Sequence, residues 1–434
     1  MIPASPPPEP RASEWRGILD TDAHGERTRT AVEATVRAIA DDLIRATVES
    51  PAELHGDLSL GRGAPGAALF LAYWGQYLAD RAPRAADLAC AASRHLLEQT
   101  LTTLASRPGP ASLYQGYTGA AWAVQHVAAT DDGDDPLAGL DDGLARGLTG
   151  LVPCFDLVSG LAGALVYARE RGANGRALLQ PTVTALAQLA QPGTPCGRTY
   201  FTTAAQLSPQ TRPHSPDGHH DLGLAHGVPG VIAAIVGVLE DDLASGPTHR
   251  DAATLVDDAI GWLLAQPIVA HPHARFPAVL RPRAEPQPTR LAWCYGDLGI
   301  ALTLVRAGRV RANPAWIEHG RALARLAAQR EPDTAGVVDT SLCHGAAGLA
   351  QLFARLHAAT GEPACRAAAQ RWLADALARR QPGTGVGGYR HPRGRDPGVR
   401  DHAGFLEGAS GIGLALLAMI DDTEPAWDRL LLLS

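Results

Sequence analysis

The chain has 434 residues and no lysine, so every basic side chain is arginine or histidine. That absence excludes a lysine Schiff base and a P-loop lysine. Asparagine is almost missing, while alanine, arginine and aspartate are heavily used. Positive charge is not in excess either. A formal net charge of -7 removes the basic footprint that nucleic acid requires. No uninterrupted apolar run reaches the length needed to span a bilayer. The opening stretch MIPASPPPEPRASEW has no apolar core of the kind a secretion signal carries, and its prolines predict a disordered lead-in over residues 1–20. A cytoplasmic globular protein is expected, in keeping with 46% apolar and 19% charged residues. Six cysteines are spread along the chain, too scattered for a disulfide framework, which leaves metal or structural use.

What is present is a repeat. Gly-x-x-Gly followed by an apolar run occurs at Gly63–Gly66, Gly116–Gly119, Gly160–Gly163, Gly227–Gly230, Gly296–Gly299, Gly345–Gly348 and Gly408–Gly411. The spacing leaves room for two helices and their loops in each unit. Runs such as Ala67 to Leu78 and Val231 to Leu239 are apolar all round, as in helices buried on both sides. Stretches such as Arg29 to Val48 and Ala364 to Arg380 repeat their apolar residues at helical steps with one wet face. Each unit therefore reads as an amphipathic outer helix followed by an apolar inner one. Glycine at an inner-helix start suits helices that converge on a common axis, where a Cβ would not fit. The expected fold is all-α, a closed α/α toroid of seven inner and seven outer helices spanning residues 21–434, with an open solenoid as the alternative.

Function in such a scaffold should sit where the repeats differ. The residue before the first glycine runs Arg62, Gln115, Ser159, His226, Tyr295, His344 and Glu407. One step earlier it runs Gly61, Tyr114, Val158, Ala225, Cys294, Cys343 and Leu406. Two cysteines thus share one repeat position, and one of them precedes a histidine. Cys294, Cys343 and His344 make a three-ligand zinc set with a fourth position open, the arrangement of catalytic zinc, and thiolates select against Mg²⁺ and Ca²⁺. A lone buried cysteine is more often a small core residue, which is the reading for Cys90, Cys154, Cys196 and Cys365. His226 has no cysteine beside it, which favours acid/base work over ligation, with a structural histidine as the alternative. Asp156 and Arg290 read by themselves as solvated loop charges. His219, His220, His271 and His273 lie in proline-rich sequence and read as surface residues.

Leu291-Ala-Trp-Cys-Tyr-Gly296, Ser341-Leu-Cys-His-Gly-Ala-Ala-Gly348 and Ala225-His-Gly-Val-Pro-Gly230 together resemble the lanthionine synthetase C-like family, in particular its class I lanthipeptide cyclases. The likeness covers nearly the whole chain. It implies an α/α toroid with zinc held by Cys294, Cys343 and His344. It further implies His226 as acid/base, with Asp156, Arg290 and Tyr295 as active-site residues. The reaction it implies is Michael addition of a peptide cysteine thiol to dehydroalanine or dehydrobutyrine, closing a thioether ring. The partners implied are a dehydrated precursor peptide, a separate dehydratase and an exporter. Asp297-Leu-Gly299 departs from the family's usual Pro-Gly at that place. A proline- and histidine-rich stretch over residues 194–222 reads as an insertion near the cavity mouth. The alternatives are glutathione-type thiol addition to dehydroamino acids and a non-catalytic zinc-stabilised scaffold. A helical-toroid glycosidase would need a carboxylate pair, for which only Asp156 and Glu407 stand out.

Overall fold

The computed structural model describes residues 15–49, 57–106, 109–128, 135–148, 154–390 and 403–434. Fourteen α-helices lie in these residues. Seven follow the Gly-x-x-Gly pairs: α2 (Ala64–Leu78), α4 (Tyr117–Ala128), α6 (Leu161–Glu170), α8 (Val228–Glu240), α10 (Asp297–Val310), α12 (Ala346–Thr360) and α14 (Ala409–Ala418). Seven alternate with them: α1 (Ala23–Glu49), α3 (Pro83–Leu104), α5 (Ala138–Leu148), α7 (Arg176–Leu189), α9 (Gly246–Leu264), α11 (Pro314–Ala327) and α13 (Pro363–Ala378). Each inner helix packs on the next, and α14 packs back on α2, so the ring is closed. It is an α/α toroid, not an open solenoid.

Burial explains which helices go inside. Every residue of α14 is buried, as is all of α8 except Glu240, so both lie inside the wall. In α1 the buried apolar positions are Val32, Val36, Ile39, Ala40 and Leu43, a single stripe at helical steps. The pairing differs from the outer-then-inner unit that the sequence suggests. Three inner helices pack chiefly on the outer helix that follows, α2 on α3, α10 on α11 and α12 on α13, and the first outer helix, α1, backs the last inner one, α14. Loop length is the reason. Short turns such as Ala79–Ala82 and Arg311–Asn313 leave inner helices, whereas long connections lead into them.

The glycine pairs mark close approach between neighbouring repeats. A Cβ on Gly119 would fall 1.7 Å from Leu113 O and 2.9 Å from the Leu60 side chain of the preceding repeat. The same contact closes the ring, since a Cβ on Gly66 would fall 2.8 Å from the backbone nitrogen of Phe405, in the last repeat. No side chain larger than hydrogen fits at either place.

The axis of the ring is filled by the C-terminal segment, which includes a 3₁₀ turn at Ala426–Leu431. Tyr114 Oη donates to Leu430 O at 2.6 Å, Trp293 Nε1 to Leu431 O at 2.8 Å and Arg306 to Leu432 O at 2.8 Å. At the other chain end, Trp15 and Ile18 are buried, with the Trp15 indole donating to Asp421 O. Residues 15–20 therefore do not belong to the lead-in expected from the prolines, because their apolar side chains find a core surface beside α14. Residues 1–14 of that lead-in lie outside the described residues.

Two long connections add small β elements. Between α7 and α8 lie β1 (Gln191–Pro192), β2 (Arg198–Thr199) and β3 (His220–Asp221); between α9 and α10 lies β4 (Val279–Leu280). β1 pairs with β2, and β3 with β4, both antiparallel. Residues 194–222 run through the first connection. Among the described residues no helix is long and apolar enough to cross a membrane.

Candidate active site at the inner-helix starts

The loops entering the inner helices share a construction. Six residues before the first glycine, Asp57, Asp221 and Asp339 each accept, through Oδ1, the backbone N–H two residues on, at 2.8 Å in every case. At the same repeat position before Gly296 stands Arg290. That loop also differs in its glycine. Gly296 has φ +105°, whereas Gly160, Gly227 and Gly345 precede their helices in an extended conformation. The repeat that carries Cys294 and Tyr295 therefore has an arginine where other repeats fold a side chain into the turn.

Two pairs form at this end of the ring. Cys294 and Cys343 lie against each other, and the N–H groups of Trp293 and Cys294 both point to Cys343 O, at 3.0 and 3.3 Å. A hydrogen bond from Cys343 favours the thiolate of Cys294, helped by the positive charges of Arg290 and His226. Cys343, beside that sulfur and buried, is pushed well above its ordinary value. The contact thus splits the two thiols, lowering Cys294 and raising Cys343.

The other pair is His226 and Asp156, with His226 Nδ1 donating to Asp156 Oδ2 at 2.6 Å. Asp156 Oδ1 accepts Ser159 N–H at 2.8 Å, which fixes the carboxylate. Burial disfavours a charged imidazole, but Asp156, with Asp221 and Cys294 beyond it, outweighs burial and raises the His226 pKa. Nδ1 is committed to the carboxylate, so Nε2 is the nitrogen left for chemistry.

His226, Asp156 and Tyr295 line one cavity of about 780 Å³. Its far wall comes from the two long connections and includes Thr202, Gln206, Thr211 and Arg281. His219 lines it too and is only 4% exposed, with burial and Arg281 lowering its pKa. It is not the surface residue that its proline-rich context suggests, because the β3–β4 pairing folds that segment inward, and His220 is likewise half-buried against Trp262. Cys154 also faces the cavity, where burial raises its pKa to about 11.

His344 is placed differently. Its Nδ1 is 2.8 Å from Ser341 Oγ, and its Nε2 is 3.8 Å from Asp339 Oδ2 and 3.9 Å from Glu407 Oε1. Among the described residues no three His, Cys, Asp or Glu side chains stand together as a ready metal site. The imidazole that the sequence groups with the two sulfurs is turned toward a serine and two carboxylates. One of those carboxylate oxygens, Asp339 Oδ2, is buried and finds no hydrogen-bond partner among the described residues.

Residues 55–432 match the family described as lanthionine synthetase C-like protein. The chain belongs to that family. Among solved structures, nisin cyclase superposes with a TM-score of 0.72 over 91% of this chain and 96% of its own, at 20% sequence identity, a likeness of fold. Within this lanthionine synthetase C-like chain, sequence reasoning missed Asp221, which is fully buried, lines the cavity and faces both His226 and Tyr295. Its only signal was a repeat position shared with Asp57 and Asp339. Asp297, the departure from the family's usual Pro-Gly, is buried and accepts the N–H groups of Arg275 and Phe276, each at 2.9 Å. It ties the connection that carries β4 to the helix start that follows Cys294.

Proposed function

We propose that the chain is a zinc-dependent lanthipeptide cyclase, closing (methyl)lanthionine rings by adding peptide cysteine thiols to dehydroalanine or dehydrobutyrine. The carrying observation is that, in a member of this family, a His–Asp pair lines a cavity and Cys294, against Cys343, lies close enough to influence His226, the four residues coming from four different inner-helix starts. Zinc suits the donors. Two thiols in contact supply soft ligands, and His344 follows one of them directly in sequence. Two carboxylates near His344 Nε2 suit a ring that ligates through Nδ1, in exchange for its contact with Ser341, with the buried Asp339 oxygen receiving the Nε2 proton.

When bound, zinc supplies acidification of an incoming thiol that is otherwise mostly protonated, with a pKa of about 8.5. The remaining work falls to the chain. The thiol S–H bond breaks and a C–S bond forms at the β-carbon of the dehydroamino acid. The displaced electron pair passes to the carbonyl oxygen as an enolate, and a proton is finally added at the α-carbon. His226 Nε2 accepts the thiol proton or delivers the α-carbon proton, with Asp156 holding its tautomer. Arg290, whose positive charge acts on Cys294, stabilises the enolate oxygen. The polar far wall, with Thr202, Gln206 and Arg281, engages the peptide. A dehydratase must act before this step.

Ring closure changes no mass, so the test counts free thiols. A dehydrated peptide with one cysteine should lose its reactivity to an alkylating reagent when the zinc-loaded protein is added. Persistence of the free thiol ends the proposal, and a mass increase only with glutathione assigns the site to intermolecular addition instead.

A further inference from the structure

We infer that Asp221 is a further positioning residue of this site, its carboxyl holding and orienting the Tyr295 hydroxyl at the cavity wall. Asp221 sits on β3, where it pairs with Val279 of β4, so it joins the covering connection to the ring. Its Oδ1 is used by the turn, accepting Gly223 N–H at 2.8 Å, as Asp57 and Asp339 do in theirs. The turn accounts for one oxygen. Unlike Asp57, Asp221 also lines the cavity, as Tyr295 does, and the two side chains are close enough for each to bear on the other's ionisation. Contacts of this kind are often long before substrate binds and tighten afterwards.

The direction of that contact has a chemical consequence. With Asp221 ionised, the Tyr295 O–H donates to it and only phenol lone pairs face the cavity. With Asp221 protonated, its own O–H donates to the phenol oxygen, and the Tyr295 O–H is free to point at a substrate carbonyl. Burial raises this carboxyl to about 6, so both forms exist close to neutral pH. The groups facing it are His226 from the start of α8, Tyr295 from the start of α10 and Asp156 from the loop before α6; His219 and Arg281 line the same cavity. Burial pushes the Tyr295 phenol far upward, so it stays protonated and only its direction changes. What the hydroxyl acts upon rests on the proposed cyclase reading; the Asp221–Tyr295 contact does not.

The test labels tyrosine with ¹³C at Cζ in the full chain and assigns Tyr295 by its loss in Tyr295→Phe. Its signal should move with an inflection near about 6 in the unaltered protein and stay flat across that range in Asp221→Asn. Asp57→Asn, which alters the same kind of turn elsewhere, should leave the inflection in place. Asp221→Ser keeps an acceptor for Gly223 N–H without titrating, and serves if the asparagine variant does not fold. No inflection, or one that survives both substitutions at Asp221, overturns the inference. With a dehydrated peptide, Asp221→Asn combined with Tyr295→Phe should fall within about twofold of the weaker single variant, and full additivity counts against the contact. An unaltered protein that closes no rings would refute the proposed activity while leaving the spectroscopic result to be read by itself.

Discussion

The two ends of the inner ring use charge in opposite ways. At the end plugged by the C-terminal segment, buried charges are paired. Arg355 meets Asp428 through two hydrogen bonds of 2.6 and 2.9 Å and also Glu424. Arg306 meets Glu240, and Arg169 meets Asp241. A chain of contacts runs from Glu170 through His126 to Tyr73 and on to the N–H of Trp427. At the helix-start end the pairs are incomplete. The two thiols are shifted in opposite directions, His226 turns only Nδ1 to its carboxylate, and Asp221 carries a raised pKa. Completed pairs fix geometry, whereas groups left to exchange protons around a cavity are what a reaction can use.

That contrast breaks first at the sulfurs. Cys343→Ala should abolish metal binding and ring closure, read by metal analysis and thiol alkylation, while the helical signal and melting temperature stay close to those of the unaltered protein. Collapse of the fold would mean that the metal is structural. His226→Ala should keep zinc and fold but slow ring closure about 10²–10⁴-fold, the usual weight of one general acid or base. At the plugged end the effect should be the reverse. Asp428→Asn strips Arg355 of its buried partner and should cost roughly 3–5 kcal/mol of stability, seen as a lower urea midpoint. Zinc content and activity per folded molecule should be unchanged. If Asp428→Asn instead lowers activity before stability, the two ends are coupled and the contrast fails.

Much of this was legible in the sequence because the repeat is long and regular. Seven glycine pairs gave the number of inner helices, since backbone crowding at Gly66 and Gly119 leaves no other residue type. Lining up the repeats placed Cys294 beside Cys343 and His226 in the same neighbourhood. The side-chain details could not be read there. His344 follows Cys343 directly, yet its Nδ1 stands 2.8 Å from Ser341 Oγ and its Nε2 within 3.9 Å of Asp339 and Glu407, the latter in a different repeat. His219 looked exposed because proline-rich sequence usually is, and only the pairing of β3 with β4 folds it inward. The ring partner of α1 is also not local information, because α14 lies at the far end of the chain.

The smallest expected effect sharpens the contrast most, because it tests one hydrogen bond by its sign. Asp156 holds His226 above its ordinary pKa against the opposing pull of burial, with Asp221 and Cys294 adding to the effect. A raised histidine contributes stability that is fully present below its unfolded pKa of about 6.5 and is lost as pH rises through the folded value. Asp156→Asn should therefore lower the His226 pKa, followed by its imidazole proton resonance, and flatten the decline in stability above about pH 6.5. The ring faces the cavity and is half-exposed, so solvent screens the pair and the change in stability should be slight. A His226 pKa that stays put in Asp156→Asn would assign its elevation to Asp221 and the sulfurs. The carboxyl on β3 would then be the group that chiefly supports the imidazolium.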